Sequence, residues 1–278
     1  MQKYQREFVG EFIGTFLLVL FGCGSVAVSI LFEAYQGILQ IGLAWGIGVS
    51  LAIYATRHLS CAHLNPAVTI AMAVNKRMLP KKVPVYLLAQ FLGAFAAGLG
   101  VYGLFAESIR NFEVVQGIVR GSNESSMIAK MFGEYYISSE AAIQLSMPQA
   151  MVAEGVGTFL LVFMIFSLTE GCNLGRPDNA LTPIFIGLSV TSVICLIAPL
   201  TQAGLNPARD FGPRMVAWIF GWRQAAFPDK TGGFFFVYML SPVIGAIVAG
   251  AFFTKVVQKL MQNKKEQSCA QGAAGCDS

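Results

Sequence analysis

Apolar and polar positions in this 278-residue chain fall into long blocks rather than a short alternation. Five stretches carry no charged residue, at 12–32, 37–56, 83–106, 179–208 and 231–254, and a sixth, 141–169, is broken only by Glu154. Each is longer than the roughly 18 uncharged residues that indicate a transmembrane helix. Six spans are predicted. The first is not expected to be a cleaved signal peptide, because no short apolar region ends in a small-residue cleavage site.

Two of the polar interruptions are alike. Asn65-Pro66-Ala67 and Asn206-Pro207-Ala208 stand 141 positions apart, about half the chain. Asn caps a helix N-terminus well, and Pro suits the first helical position. Each tripeptide is therefore predicted to start a short helix, at 66–75 and at 207–216. At 1.5 Å per residue such a helix is about 15 Å long, half of a hydrocarbon core of about 30 Å. The halves match elsewhere too: Glu11, Gly14 and Thr15 recur as Glu154, Gly157 and Thr158, and Gly93-Ala94 as Gly245-Ala246. Three spans per half is an odd number, so the second copy enters the bilayer inverted. The two half-helices then meet N-terminus to N-terminus at the midplane. Irregular backbone at that depth must line protein or a water-filled cavity, so 60–64 and 201–205 are expected to face a pore.

Charge gives orientation and excludes several classes. The chain is 55% hydrophobic and 12% charged, against about 25% charged for a soluble domain. Lys3 and Arg6, the cluster Arg57, Lys76, Arg77, Lys81 and Lys82, and Lys255, Lys259, Lys264 and Lys265 place both termini and the 57–82 connection in the cytoplasm. The segment 107–140 then lies outside, where Asn123-Glu124-Ser125 matches a glycosylation sequon. The expected organisation is one transmembrane channel domain over 1–262, with repeats at 7–106 and 149–258 and a flexible cytoplasmic tail at 263–278. The expected location is a plasma or bacterial inner membrane. No basic and aromatic stripe points to nucleic acid. Six cysteines without ligand spacing and two histidines predict no metal and no other cofactor. No nucleophile with a base and no phosphate-binding Gly loop predicts an enzyme.

Within the spans, few polar groups are available for chemistry. Asn65 and Asn206 can cap their helices through the side-chain oxygen and aim the amide NH₂ into the lumen. An intramembrane Arg faces water or a partner, which makes Arg209 the leading filter residue. Glu11 and Glu154 are read as acceptors for backbone N–H groups of the re-entrant segments rather than proton relays. His63 is expected to brace its loop or lend its carbonyl to the pore. Cys61 shares that loop, either reachable from the lumen or buried as a small hydrophobe, which is also the reading for Cys23 and Cys195. Gly10 with Gly14, and Gly42 with Gly46, form small-residue faces for close helix approach, within or between protomers.

These motifs resemble the major intrinsic protein family of aquaporins and aquaglyceroporins, over about residues 6–258. Asn206-Pro207-Ala208-Arg209-Asp210-Phe211-Gly212-Pro213 is similar to bacterial glycerol facilitators, with Asp210 the branch-typical residue, and 118–122 resembles the same branch. The resemblance implies an all-α membrane protein of six transmembrane helices plus two re-entrant half-helices in an inverted three-plus-three repeat. It implies a homotetramer in the lipid bilayer, with one pore per subunit and a filter of Trp45, Ile194, Ala203 and Arg209. Narrow water filters of the family place His where Ile194 stands. Glycerol facilitators usually place Gly there and an aromatic at Ala203, so this set looks more like plant nodulin-type intrinsic proteins. The expected function is passive diffusion of glycerol, with water and urea beside it, while ions and protons are excluded. The alternatives are a water- or metalloid-acid-selective pore and an ion-coupled secondary transporter.

Overall fold

The computed structural model describes residues 2–35, 37–137, 145–229 and 231–262, and the regular elements among them are all helical. In chain order they are α1 (Gln2–Phe32), α2 (Ile38–Thr56), α3 (Pro66–Val74), α4 (Val83–Gln116), α5 (Ser126–Ala129), α6 (Met147–Thr169), α7 (Thr182–Thr201), α8 (Pro207–Ala217) and α9 (Phe235–Gln262), with short 3₁₀ and π turns between or within them. Helices α1, α2, α4, α6, α7 and α9 are long and apolar enough to cross a membrane. Large apolar side chains such as Leu43, Ile47, Leu51, Leu188 and Val248 cover the outer surface, as lipid contact requires. The chain is an integral, multi-pass membrane protein.

Several boundaries differ from the uncharged stretches: α1 begins at Gln2 rather than 12, and α9 runs to Gln262 rather than 254. Helix α4 runs past 106 to Gln116, because charged residues end a membrane span without ending a helix; it stops at Gly117, whose φ of 65° is left-handed. Helix α7 ends at Thr201, where the expected re-entrant segment 201–205 begins: Gln202 and Ala203 take left-handed φ of 66° and 64°. Helix α6 starts at Met147, with Pro148 in its first turn; 141–144 of the expected span lie outside the described residues, as does the expected tail 263–278.

Packing repeats across the halves. Helix α1 packs on α2 and α4, and α6 on α7 and α9. A Cβ added at Gly93 of α4 would lie 2.4 Å from the Phe12 carbonyl oxygen, and one at Gly245 of α9 would lie 2.1 Å from that of Gly155. Gly46 of α2 meets Gly187 and Thr191 of α7 at the junction of the repeats, while Gly10 and Gly14 meet Ser60 and Leu64 of the first re-entrant segment. Both small-residue faces therefore work inside one protomer. Each half-helix docks on the opposite repeat, α3 against α9 and α8 against α4.

The connection between α4 and α6 is not simply an outer loop. Ile128, Ala129, Met131, Phe132, Glu134 and Tyr135 are all buried, so this segment folds back onto the bundle. The face carrying the 57–82 connection is called the basic face below.

Candidate functional site

The site begins with two strained segments held by two carboxylates. Ala62 and Leu64 (φ 48° and 53°) match Ala203 and Leu205 (φ 64° and 55°). A left-handed non-Gly residue costs on the order of 1–3 kcal/mol and persists only where its surroundings over-determine it. Here the determinants are explicit. Glu11 accepts from Ser60 Oγ (2.8 Å) and His63 N–H (3.0 Å) on one oxygen, and from Leu64 N–H (2.8 Å) and Gln90 Nε2 (2.7 Å) on the other. Glu154 accepts from Thr201 Oγ1 (2.5 Å) and Gly204 N–H (2.8 Å), and from Leu205 N–H (2.7 Å). Left-handed turns expose carbonyls on one side, and the carboxylates satisfy the amides on the other.

The half-helices then meet through their caps. Asn65 accepts from Ala67 N–H (2.9 Å), and Asn206 from Ala208 and Arg209 N–H (3.1 and 3.2 Å). The sequence reading aimed the amide NH₂ groups into the lumen; the structure adds a second partner for each. Asn65 Nδ2 donates to the Leu205 carbonyl (3.0 Å) and Asn206 Nδ2 to the Leu64 carbonyl (2.8 Å). A buried carbonyl needs a donor, so one N–H of each amide is spent across the repeat junction and one is left.

A cavity of about 630 Å³ runs along these segments. Cys61, Ala62, His63 and Leu64 line it with Ala203, Gly204 and Leu205, beside both Asn65 and Asn206, and Val49, Leu161, Ile165 and Val190 add apolar lining. Its mouth on the basic face carries Arg57, Arg77, Thr169, Asn179 and Thr182. Away from that mouth the cavity reaches Trp45, Ile194, Ala203 and Arg209 together. All four are buried, and the Arg209 guanidinium lies 4.2 Å from the Trp45 ring centroid. Gly22 backs the indole: a Cβ there would stand 2.2 Å from its ring atoms.

The remaining expected residues take distinct places. His63 sits against the Tyr86 ring (5.1 Å) with Nδ1 at 3.2 Å from Thr69 Oγ1. Cys61 is exposed and lines the cavity; Cys23 is buried, and Cys195 is only half-buried. Asn123 is exposed on its connection. Asp210 is not among the cavity-lining residues; it is fully buried and pairs with Arg214 (2.8 Å).

Sequence reasoning missed Glu134. Its carboxylate forms an ion pair with Arg209, both side chains about 5% exposed. Burial pushes the Glu134 carboxyl up to about 7, with Arg209 pulling it down and Asp210 and Glu154 adding to the upward push. Its segment read as an exterior loop, so only acids within spans were weighed. A buried Arg needs a counter-charge, and searching the outer connection for one would have found it. Asp210 and Arg214 stand at i,i+4, a spacing that also marks a pair.

A sequence profile of the major intrinsic protein family matches residues 1–253. The chain is 41% identical over 253 residues to a glycerol uptake facilitator protein of Haemophilus influenzae, covering 90% of this chain and 92% of that one. It is 39% identical over 253 residues to a propanediol uptake facilitator of Salmonella typhimurium, again covering 90% and 92%. The X-ray structure of the aquaglyceroporin from Plasmodium falciparum superposes with a TM-score of 0.81 at 28% identity, covering 93% of this chain and 99% of that one.

Proposed function

The chain belongs to the major intrinsic protein family, and from that membership and the cavity we propose a passive channel for glycerol and other small uncharged solutes. The observation that carries this reading is one continuous cavity lined by both Asn-Pro-Ala caps and reaching Trp45, Ile194, Ala203 and Arg209. In this reading those four residues are the selectivity filter. Trp45 and Ile194 offer a wall along which CH groups slide, and the Arg209 fork donates to hydroxyl oxygens. The remaining N–H of Asn65 and of Asn206 hands a solute oxygen through the middle. Carbonyls of 61–63 and 203–204 accept from its hydroxyls. A solute that exchanges water for these partners crosses without ever losing its hydrogen bonds.

Ions meet a different landscape. Each half-helix N-terminus carries about half a positive charge, and two facing each other oppose cations and a proton wire. Among the described residues no carboxylate is free at the midplane for coupling: Glu11 and Glu154 are occupied by the re-entrant segments. That supports passive flow over ion-coupled transport. The likeness to a propanediol facilitator favours short diols beside glycerol, with water and urea as further solutes. The basic face is placed in the cytoplasm, with both termini, and the assembly is a homotetramer in the bilayer. The two repeats form a single channel domain.

Stopped-flow light scattering on proteoliposomes tests the reading. A glycerol gradient should produce shrinkage followed by rapid reswelling, independent of proton or sodium gradients. Shrinkage without reswelling would replace glycerol by water as the solute, and gradient-dependent flux would replace the channel by a coupled transporter. Trp45→Phe combined with Ile194→His should narrow the filter; unchanged glycerol flux would place the filter elsewhere.

A further inference from the structure

Three side chains around the second half-helix hold two consecutive residues of the connection between α5 and α6. Asp210 Oδ1 accepts Glu134 N–H at 2.6 Å, Arg214 Nη2 donates to the Glu134 carbonyl, and Gln202 Oε1 accepts Tyr135 N–H at 2.8 Å. Arg214 is itself fixed. Its Nε donates to Asp210 Oδ2 at 3.0 Å and its Nη1 to the Ala226 carbonyl at 2.5 Å, and the guanidinium lies 4.8 Å from the ring centroids of both Tyr135 and Phe234. Buried polar networks with every member satisfied are rigid and specify one arrangement. The product of this one is the placement of a single carboxylate, that of Glu134, against Arg209.

We propose that Arg214, Asp210 and Gln202 are positioning residues which, through Glu134, fix where the Arg209 guanidinium stands and so set the ratio of glycerol to water passage. The proposal rests on Arg209 being a filter residue, as argued above. Among the described residues the Arg209 guanidinium has two partners, the Glu134 carboxylate and the face of Trp45. A long Arg side chain has many rotamers, and its position is only as definite as the groups that hold it. With Glu134 misplaced, the ring of Trp45 is left as the partner and the guanidinium lies across the lumen. A narrowed lumen hinders glycerol more than water. The first repeat has nothing comparable: Val68 and Thr69 stand where Arg209 and Asp210 stand in the second.

The test measures glycerol and water permeability on the same proteoliposomes. Glu134→Gln should lower the glycerol-to-water ratio about fivefold, within the range reported for network residues that touch no ligand. Gln202→Asn keeps a residue tolerant of the left-handed backbone but is one methylene too short for Tyr135 N–H, and should lower the ratio in the same direction. Arg214→Met should do so more strongly and Arg214→Lys less, since Lys keeps the charge. The decisive readout is the double variant: Gln202→Asn or Arg214→Lys added to Glu134→Gln should leave the ratio where Glu134→Gln alone puts it. Equal scaling of water and glycerol by these variants would overturn the proposal, as would a ratio change that is the same with and without Glu134. If Arg214→Met does not fold, Gln202→Asn and Arg214→Lys carry the test. Absence of glycerol flux in the unsubstituted protein would instead refute the function proposed above, which separates the two failures.

Discussion

The two ends of the cavity are symmetry mates. The offset that relates Asn65 to Asn206 and Gly46 to Gly187 also relates Ile53 to Ile194, Ala62 to Ala203, Val68 to Arg209 and Ile186 to Trp45. All eight of these last residues line the cavity. At two positions the ends carry the same residue; at the other two, one end has Val68 and Ile186 where the other has Arg209 and Trp45. The frame around them does not differ. Each end has its left-handed turn, its buried carboxylate and its Asn donating across the junction. A repeated backbone thus supplies a symmetrical path, and two side chains set one end apart from the other. The same two positions explain the extra machinery at that end, because an Arg needs a counter-charge and Val does not.

The largest effect should come from breaking the shared frame. Glu11→Ala and Glu154→Ala each leave two buried backbone N–H groups unpaired, at about 1–3 kcal/mol each. Both variants should lose the folded channel or melt far lower in detergent, and to similar extents. A large loss in one and none in the other would show that the ends are not built alike.

Next comes the asymmetry itself. Gly22→Ala forces the Trp45 ring off its seat toward the lumen, and glycerol flux should fall on the order of tenfold, the scale set by overpacking costs of 1–3 kcal/mol. Normal flux would mean that the indole has room elsewhere. Arg209→Val with Trp45→Ile converts the discriminating end into a copy of the other. Solute ranking by size should flatten, while ionic current stays near background because both half-helix N-termini remain. A large cation current would assign ion exclusion to Arg209 instead.

The smallest expected effect is on pH. The Glu134 carboxyl is raised to about 7, so its ionised form and its pairing with Arg209 are present above that pH and lost as pH falls through it. The charged groups acting on it are Arg209, Asp210 and Glu154, with Arg214 bonded to its carbonyl. Lowering the pH from 8 to 6 should reduce glycerol passage relative to water, and Glu134→Gln should show the pH 6 behaviour throughout. A pH profile identical in both proteins would remove Glu134 from the filter.

Legibility of these features followed their range along the chain. Spans, half-helices and caps were readable because hydrophobic blocks, Asn before Pro and the doubled motif act locally. The match of Glu11 with Glu154 was readable because a repeat states the same requirement twice. The end of α4 was misread, since the change in polarity at Glu107 marks the bilayer and Gly117 marks the helix. The carbonyl partners of the Asn65 and Asn206 amides were not legible because each belongs to the other half.

By itself, then, the chain determined six spans, an inverted repeat and the residue types that could face a wet lumen, because membrane insertion and capping are settled within about twenty neighbouring residues. Tertiary structure alone decided which carbonyl receives each amide, which glycine seats Trp45, and that Glu134, outside every span, meets Arg209. Those choices depend on segments 23 to 142 positions apart being brought within a few ångströms. No local pattern encodes that distance; only the packed bundle does.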